Sequence, residues 1–477
     1  MLAAVAYAEP PHVVLIVADD LGWNDVGYHG SEIYTPHIDQ LAAEGVELNR
    51  FYAQTSCSPT RAGLLSGKSP QSLGIYSPFS KLIPTGLPLG EKLMPEYFRD
   101  AGYQTFLVGK WHLGFRQPAY RPTSRGFDHF YGNLTGGIGY WDHVHGGGLD
   151  WQRNGVTLRE EGYSTHLLAA EIERVITQRD PEKPLFLYAA FTAPHLPNEA
   201  PRDAIAQYAQ IENADRRVHA AMVTELDAAI GRVKAALAAE GMLEDTLIWF
   251  MSDNGGLNPA AISPALVSFS QRLEDWFGRP LVPQTLEFVR TNVLDGGSDN
   301  TPYRKGKQSV YEGGARVPSA IYWPGRLPPG RSEQMLTVLD VLPTLLTVAG
   351  SGAADRGEAS GAGLHGADHW MSLVYGTPQQ PADYFINGSD GEALYRFPWK
   401  LVVLNSGEVE LYDLENDPTE TFDLSARYPD RVAELQQALE AAPRGKSVHV
   451  PIYRALLDID FFGGEEDRPP WSEINNN

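Results

Sequence analysis

Short apolar runs recur along the chain, and each stops abruptly at polar or glycine-rich residues: 12–20 (HVVLIVADD), 103–112 (YQTFLVGKWH), 184–195 (PLFLYAAFTAPH), 246–255 (TLIWFMSDNG) and 318–325 (PSAIYWPG). Runs this short and this continuous predict strands buried on both faces. Between them, apolar residues at three- and four-residue spacing predict helices over 37–45, 91–101, 164–179, 202–240 and 333–349. Strands alternating with helices predict an α/β fold, a large and mostly parallel sheet sandwiched by helices. In such folds functional residues collect at the carboxyl ends of the strands.

The texture changes after a loop-like stretch at 350–363 and a short helical piece at 367–376. From about residue 384 short aromatic and β-branched runs alternate with glycine turns, and 429–442 has a helical pattern. This predicts a smaller C-terminal α+β domain, a little antiparallel sheet covered by one helix. The expected organisation is therefore 1–377 and 378–477. Within the first part, 257–294 is long and helix-leaning, an insertion between two segments that carry chemistry.

Composition narrows the field. A chain that is 43% hydrophobic and 21% charged is a packed globular protein. With 38 Lys and Arg against 60 Asp and Glu, the net charge of −22 argues against a nucleic-acid partner. No run approaches the roughly 20 apolar residues of a membrane span. The small-residue triplet Ala6-Tyr7-Ala8 before Glu9 makes residues 1–8 resemble the end of an export signal, which predicts a periplasmic or secreted protein. A single cysteine, Cys57, excludes an internal disulfide.

The chemistry-bearing residues stand at the ends of the predicted strands. Asp19 and Asp20 follow the first, and Asp253 and Asn254 follow the fourth. If those strands are neighbours, four oxygen-bearing side chains converge at one rim, the donor set that Ca²⁺ or Mg²⁺ prefers. Cys57 lies in a polar turn (SCSPTR) with Arg61 four residues on, and a helix beginning just after Pro59 would put both near an anion-favouring amino terminus. Lys110 and His112 share one side of a strand end, His195 follows another buried strand, and Arg304, Lys305 and Lys307 lie in a glycine-rich loop.

As a set, these residues resemble the type I sulfatases of the alkaline-phosphatase superfamily. CSPTR is similar to the Cys-x-Pro-x-Arg signature of that family, GKWHLG to its second signature, DNGG to its metal motif and KGKQSVYEGGARVP to its Gly-Lys…Glu-Gly-Gly-x-Arg-x-Pro loop. The resemblance implies that a dedicated formylglycine-generating, or sulfatase-maturing, enzyme oxidises Cys57 to formylglycine. It implies that Asp19, Asp20, Asp253 and Asn254 hold a divalent ion, usually Ca²⁺, with the group at residue 57 beside it. It also implies that Arg61, Lys110, His112, His195 and Lys307 surround the sulfate.

On that footing a hydrated aldehyde would offer two hydroxyls on one carbon, one to attack sulfur and one to expel sulfate. His112 is expected to be the base, His195 with Lys307 the proton donor to the leaving alcohol, and Lys110 and Lys307 the partners of the sulfuryl oxygens. The segments around 125–143 and 296–316 resemble the arylsulfatase B branch, whose substrates include 4-sulfated N-acetylgalactosamine. A sulfated carbohydrate is the expected substrate, with Arg304 and Lys305, and also Arg116, Arg121 and Arg125, as a basic mouth. The same superfamily contains phosphonate monoester hydrolases and phosphodiesterases, and a glycan-binding protein without catalysis would be a third reading.

Overall fold

The computed structural model describes residues 10–79, 84–145, 147–257, 297–350, 363–377, 379–448 and 470–473. The predicted export remnant and nearly all of the 257–294 insertion lie outside them.

The main sheet is built from β1 (His12–Ala18), β2 (Val46–Tyr52), β3 (Gln104–Gly109), β4 (His129–Gly132), β7 (Gln152–Arg153), β8 (Val156–Thr157), β9 (Leu185–Ala190), β10 (Thr246–Ser252), β11 (Ser319–Tyr322) and β12 (Gly330–Thr337). Their order is β12-β2-β11-β10-β1-β9-β3-β4-β7-β8. A two-stranded ribbon, β5 (Val144–His145) with β6 (Gly148–Leu149), stands apart. The centre, β10-β1-β9-β3-β4, is parallel throughout. The flanks depart from that: β11 runs antiparallel to both β10 and β2, and β7 runs antiparallel to β4 and β8. The sheet is thus mixed, with a parallel core.

Alternation along β1 shows why its apolar run has no polar interruptions. Val13, Leu15 and Val17 pack into one core, with residues of α2 (Cys57–Ser66), α3 (Met94–Asp100) and the helix Val338–Val348. Val14 and Ile16 face the other core, with α1 (Pro36–Glu44), α4 (Ser164–Gln178) and α6 (Ala214–Ala239). A strand covered on both sides needs apolar residues at every position.

Two local expectations are revised, and one strand appears where none was expected. The pattern at 333–349 is not one helix: residues to Thr337 pair with β2, and the helix begins at Val338. The cap explains the break, because Thr337 Oγ1 accepts from Leu339 N at 3.2 Å and Asp340 Oδ2 accepts from Thr337 N at 2.7 Å. The pattern at 202–240 divides into α5 (Arg202–Ala206) and α6, the latter capped by Asn213, whose Oδ1 accepts from Arg216 N at 2.9 Å. Strand β2 (VELNRFY) carries too many polar residues to read as a buried run, yet Asn49 is buried in it and Arg50 partly buried.

The C-terminal part forms the antiparallel sheet β13 (Tyr384–Asn387), β14 (Gly391–Arg396), β15 (Trp399–Leu404) and β16 (Val409–Asp413), with the helix Pro429–Ala441 on it. Phe385, Leu394, Leu401 and Leu411 pack under that helix against Leu435 and Leu439. The opposite face, with Tyr384, Ile386, Tyr395 and Val402, joins the core of the large domain.

Candidate active site

β1 and β10 are hydrogen-bonded neighbours in register, Ala18 against Ser252. The two acidic pairs therefore emerge side by side at the carboxyl rim. Asp19, Asp253 and Asn254 are fully buried, and Asp20 nearly so. Asn254 Nδ2 donates to Asp20 Oδ1 at 2.8 Å, and Asp20 N lies 3.3 Å from Asp253 Oδ1. Asp20 has φ of 64°, a left-handed backbone that only a tightly determined site retains in a non-glycine residue.

Cys57 is the first residue of α2, three residues earlier than expected, with Ser56 extended before it. The polar neighbours Ser56, Ser58, Thr60 and Arg61 do not place it on the surface, since every residue of this helix is buried. Cys57 Sγ lies 3.6 Å from Asp19 Oδ1. Burial pushes its thiol up to about 12, against the pull of Lys110 and Lys307. Left unmodified it is a poor nucleophile at neutral pH.

The donor atoms of Asp19, Asp20, Cys57 and His195 all lie within 4.8 Å of one another. Around them the cations are already paired. Lys110 Nζ donates to Asp19 Oδ2 at 2.5 Å and Lys307 Nζ to Asp20 Oδ2 at 2.7 Å. Arg61 is fully buried, with Nε donating to Asp253 Oδ2 at 2.9 Å and Nη1 to the Lys110 carbonyl at 3.0 Å. Beneath it Tyr188 OH lies 3.5 Å from Nη1, a neighbour that no motif announces.

Burial and the facing Asp253 push the Asp19 carboxyl up to about 7, more than Lys110 and Arg61 hold it down. Burial also acts against Asp20, but Lys307 and His195 outweigh it and keep that carboxyl well below the usual range. Asn254 Oδ1 is buried with no hydrogen-bond partner among the described residues. Three crowded carboxylates and a spare amide oxygen fit a hard divalent cation, whose charge would relieve the repulsion felt by Asp19.

Gly109 ends β3 at φ of 120°, and a side chain there would meet the Ala190 carbonyl at 1.9 Å. Only glycine lets the chain pass that close to β9 and deliver Lys110 and His112 to the rim. His112 has φ of 57°, and its Nε2 contacts the Phe79 carbonyl at 2.9 Å. A carbonyl only accepts, so Nε2 carries the hydrogen and Nδ1 presents a lone pair. That Nδ1 is buried without a partner among the described residues. Burial and Lys110 hold the His112 ring well below its ordinary pKa, hence neutral.

His195 Nδ1 donates to the Leu196 carbonyl at 2.7 Å, which leaves Nε2 3.6 Å from Asp20 Oδ2. Burial lowers its pKa to about 3. His195 and Lys307 are the outermost of the set, with side chains 15% and 9% exposed, whereas Arg61, Lys110 and Asp19 have none. Two glycines outside the recognisable motifs complete the wall. A Cβ on Gly136 would lie 2.6 Å from His112 Cε1, and one on Gly137 2.9 Å from His195 Cε1.

The basic mouth is otherwise engaged. Arg304 Nη1 donates to Tyr412 OH and to the Glu420 carbonyl, both at 2.9 Å, and Lys305 pairs with Asp390 at 3.0 Å, so both join the reactive loop to the C-terminal part. Arg125 donates to the carbonyls of Leu87 and Glu91, and Arg121 to those of Phe115 and Ser472.

Buried acidic and basic side chains converging on one residue at a helix start, on a helix-covered sheet, define a hydrolase of anionic esters. The chain belongs to the sulfatase family, whose model matches residues 11–351, and it is a sulfuric ester hydrolase. It is 31% identical to mouse arylsulfatase J over 92% of this chain and 76% of the relative. It is 32% identical to human arylsulfatase A over 74% of this chain and 66% of the relative. The human N-acetylgalactosamine-6-sulfatase is 30% identical over 73% and 64% respectively. Among solved structures it is similar to Ps i-CgsB in complex with k-i-k-neocarrahexaose, with a TM-score of 0.80 and 27% identity, covering 95% of this chain and 98% of that one. No helix among the described residues is long and apolar enough to cross a membrane.

Proposed function

We propose that the protein removes sulfate from a sulfated carbohydrate derived from a glycosaminoglycan or another polysaccharide, outside the cytoplasm, after maturation of Cys57 to formylglycine. The observation that carries this reading is the convergence of Asp19, Asp20, Cys57 and His195 within 4.8 Å at the start of α2. Similarity to an N-acetylgalactosamine-6-sulfatase and to a protein solved with a neocarrahexaose supports a sugar substrate.

Asp19, Asp20, Asp253 and Asn254 would hold a hard divalent ion, Ca²⁺ or Mg²⁺ by the hardness of its donors, and that ion would supply charge neutralisation at the sulfuryl oxygens. A hydrated aldehyde at residue 57 would supply two hydroxyls on one carbon, one for attack on sulfur and one for release of sulfate. The chain's own residues set the rest. Lys110 and Lys307 face the sulfate oxygens as fixed cations in a water-poor pocket, where such charges count most. Arg61 holds Asp253 and the Lys110 carbonyl in place. The unpartnered Nδ1 of neutral His112 accepts the proton that must leave the second hydroxyl. At the outer edge His195, with Lys307 beside it, serves the departing alcohol oxygen: neutral in the resting site with its hydrogen on Nδ1, it must first take a proton at Nε2 and then passes it to the alcohol as the sugar leaves toward solvent.

The test is release of inorganic sulfate from a panel of N-acetylgalactosamine, galactose and glucosamine sulfates, with Cys57→Ala as control and the mass of the 54–70 peptide reporting maturation. Turnover by matured protein that vanishes in Cys57→Ala supports the reading. Matured protein that releases no sulfate from any sugar would refute it.

A further inference from the structure

The part of the chain that matches the sulfatase family ends at residue 351, and Trp471 lies far beyond it. Its ring is nonetheless buried in the core of the large domain, edge-on to Phe115 at 5.5 Å. The backbone N of Trp471 donates to the Leu149 carbonyl at 3.0 Å, and its Nε1 donates to the His145 carbonyl at 2.8 Å. The next residues are tied down as well. The Ser472 carbonyl accepts from Arg121 Nη1 at 2.8 Å, and Glu473 Oε1 accepts from Thr157 Oγ1 at 2.7 Å. Trp471 is thus wedged between the segment that runs from His112 to Phe115 and the ribbon of β5 and β6.

From both sides hydrogen bonds lead on to the reaction centre. Asp150, next to Leu149, accepts from Leu134 N at 2.9 Å and from Thr135 N at 2.8 Å, and the Leu134 carbonyl accepts from His112 N at 3.1 Å. On the other branch, His145 Nδ1 donates to the Gly137 carbonyl at 2.6 Å. Gly136 backs the His112 ring and Gly137 the His195 ring, each so closely that a Cβ would collide with it. Two adjacent glycines have the greatest backbone freedom and no side chain by which to be packed. Their place must therefore be imposed from outside, by Asp150 and His145, and behind these by Trp471.

We propose that Trp471 is a positioning residue for sulfate-ester hydrolysis. Clamping the ribbon against the 112–115 segment, it fixes the turn at 134–137 and through it the placement of His112 and His195. The inference rests on the reading that these two histidines move the protons of the reaction. Without the indole, the His145 carbonyl loses a donor and Phe115 loses its neighbour, so the glycine turn regains its freedom. A displacement of about 1 Å at a proton-transfer group is enough to cost about 10²-fold in rate.

The test compares the matured native protein with Trp471→Ala on nitrophenyl sulfate and phenyl sulfate, whose leaving groups differ in acidity. A displaced His195 is felt most where the departing oxygen most needs a proton. We expect kcat/KM of Trp471→Ala to fall at least about tenfold on phenyl sulfate, and at least about threefold less on nitrophenyl sulfate. Leu439→Ala, under the C-terminal helix, controls for stability: it should lower the thermal midpoint and leave the ratio of the two substrates unchanged. Trp471→Phe keeps a ring beside Phe115 and loses the bond to His145, and it serves, with a smaller shift of the same ratio, if Trp471→Ala does not fold. An unchanged ratio in the Trp471 variants, or the same shift in Leu439→Ala, overturns the proposal. Amide exchange over 133–137, read by mass spectrometry, separates the clamp from the chemistry. Faster exchange there in Trp471→Ala, together with an unchanged ratio in His195→Ala, upholds the clamp and refutes the role given to that histidine. Unchanged exchange overturns the clamp whatever the activity.

Discussion

Arg61 approaches a single carboxylate oxygen of Asp253 with two nitrogens, Nε at 2.9 Å and Nη2 at 2.8 Å, and neither residue is exposed. The other oxygen, Oδ1, is left facing Asp20. Arg61 therefore fixes which oxygen Asp253 turns toward Asp20.

Removing that guanidinium should be costly in two ways. Arg61→Met leaves a buried carboxylate uncompensated, and we expect a loss of about 3–5 kcal/mol in urea unfolding together with loss of bound metal by elemental analysis. Arg61→Lys keeps the charge without the fork, so it should unfold less easily than Arg61→Met yet remain far below the native protein in activity. Unchanged metal content in Arg61→Met would show that Asp253 needs no such support.

Gly136→Ala tests the wall around His112. Its backbone is not in the left-handed region, so the effect should come from the clash with the imidazole. We expect kcat to fall at least about tenfold with little change in thermal midpoint, because a base displaced by about 1 Å loses much of its effect. Gly137→Ala should act in parallel through His195.

His112→Ala should lower kcat by about 10²–10⁴, the usual worth of a positioned base. The fold should persist, and sulfate-ester binding should be weakened far less than turnover. Equal losses in binding and turnover would assign His112 to substrate positioning instead.

Asp25 supplies a pH prediction away from the reaction centre. Burial pushes its carboxyl up, but His219 at 3.0 Å and Arg216 outweigh that and hold it well below the usual range. An acid with a lowered folded pKa stabilises the protein above its unfolded value of 3.8, and this contribution is lost as pH falls through the folded value. Asp25→Asn should therefore unfold at a lower temperature at pH 7 and show a flatter acid limb below about pH 4. Identical acid limbs in the two proteins would contradict it.

The C-terminal sheet reaches the reactive loop through Lys400, which is fully buried between Glu312 at 3.0 Å and Glu420 at 2.6 Å. Lys400→Met should destabilise the protein by about 3–5 kcal/mol in chemical denaturation, because the buried Glu312 and Glu420 then lose the cation between them. Loss of activity should accompany it, since Glu312 opens the helical turn just beyond Lys307.

Much of this site is legible in the order of residues. Asp19, Asp20, Asp253 and Asn254 announce themselves because they end strongly apolar runs, and Cys57 with Arg61 because such residues are rare in one turn. Other parts leave no local mark. Residues 333–337 read as helix, but pairing with β2 is worth more to them than a further helical turn. Arg304 and Lys305 read as a basic mouth, but their partners Tyr412, Glu420 and Asp390 arrive from a different part of the chain.

By itself, then, the sequence determined the inventory: buried strands, the acidic and basic groups at their ends, one cysteine in a helix-starting turn, and family signatures that name the class of reaction. Only the tertiary structure decided how those groups meet. The in-phase pairing of β1 with β10 sets Asp19 against Asp253, and complete burial then raises the Asp19 carboxyl while Lys307 lowers that of Asp20. Such differences depend on distance and on exclusion of water between residues more than 200 positions apart, and no local pattern encodes either.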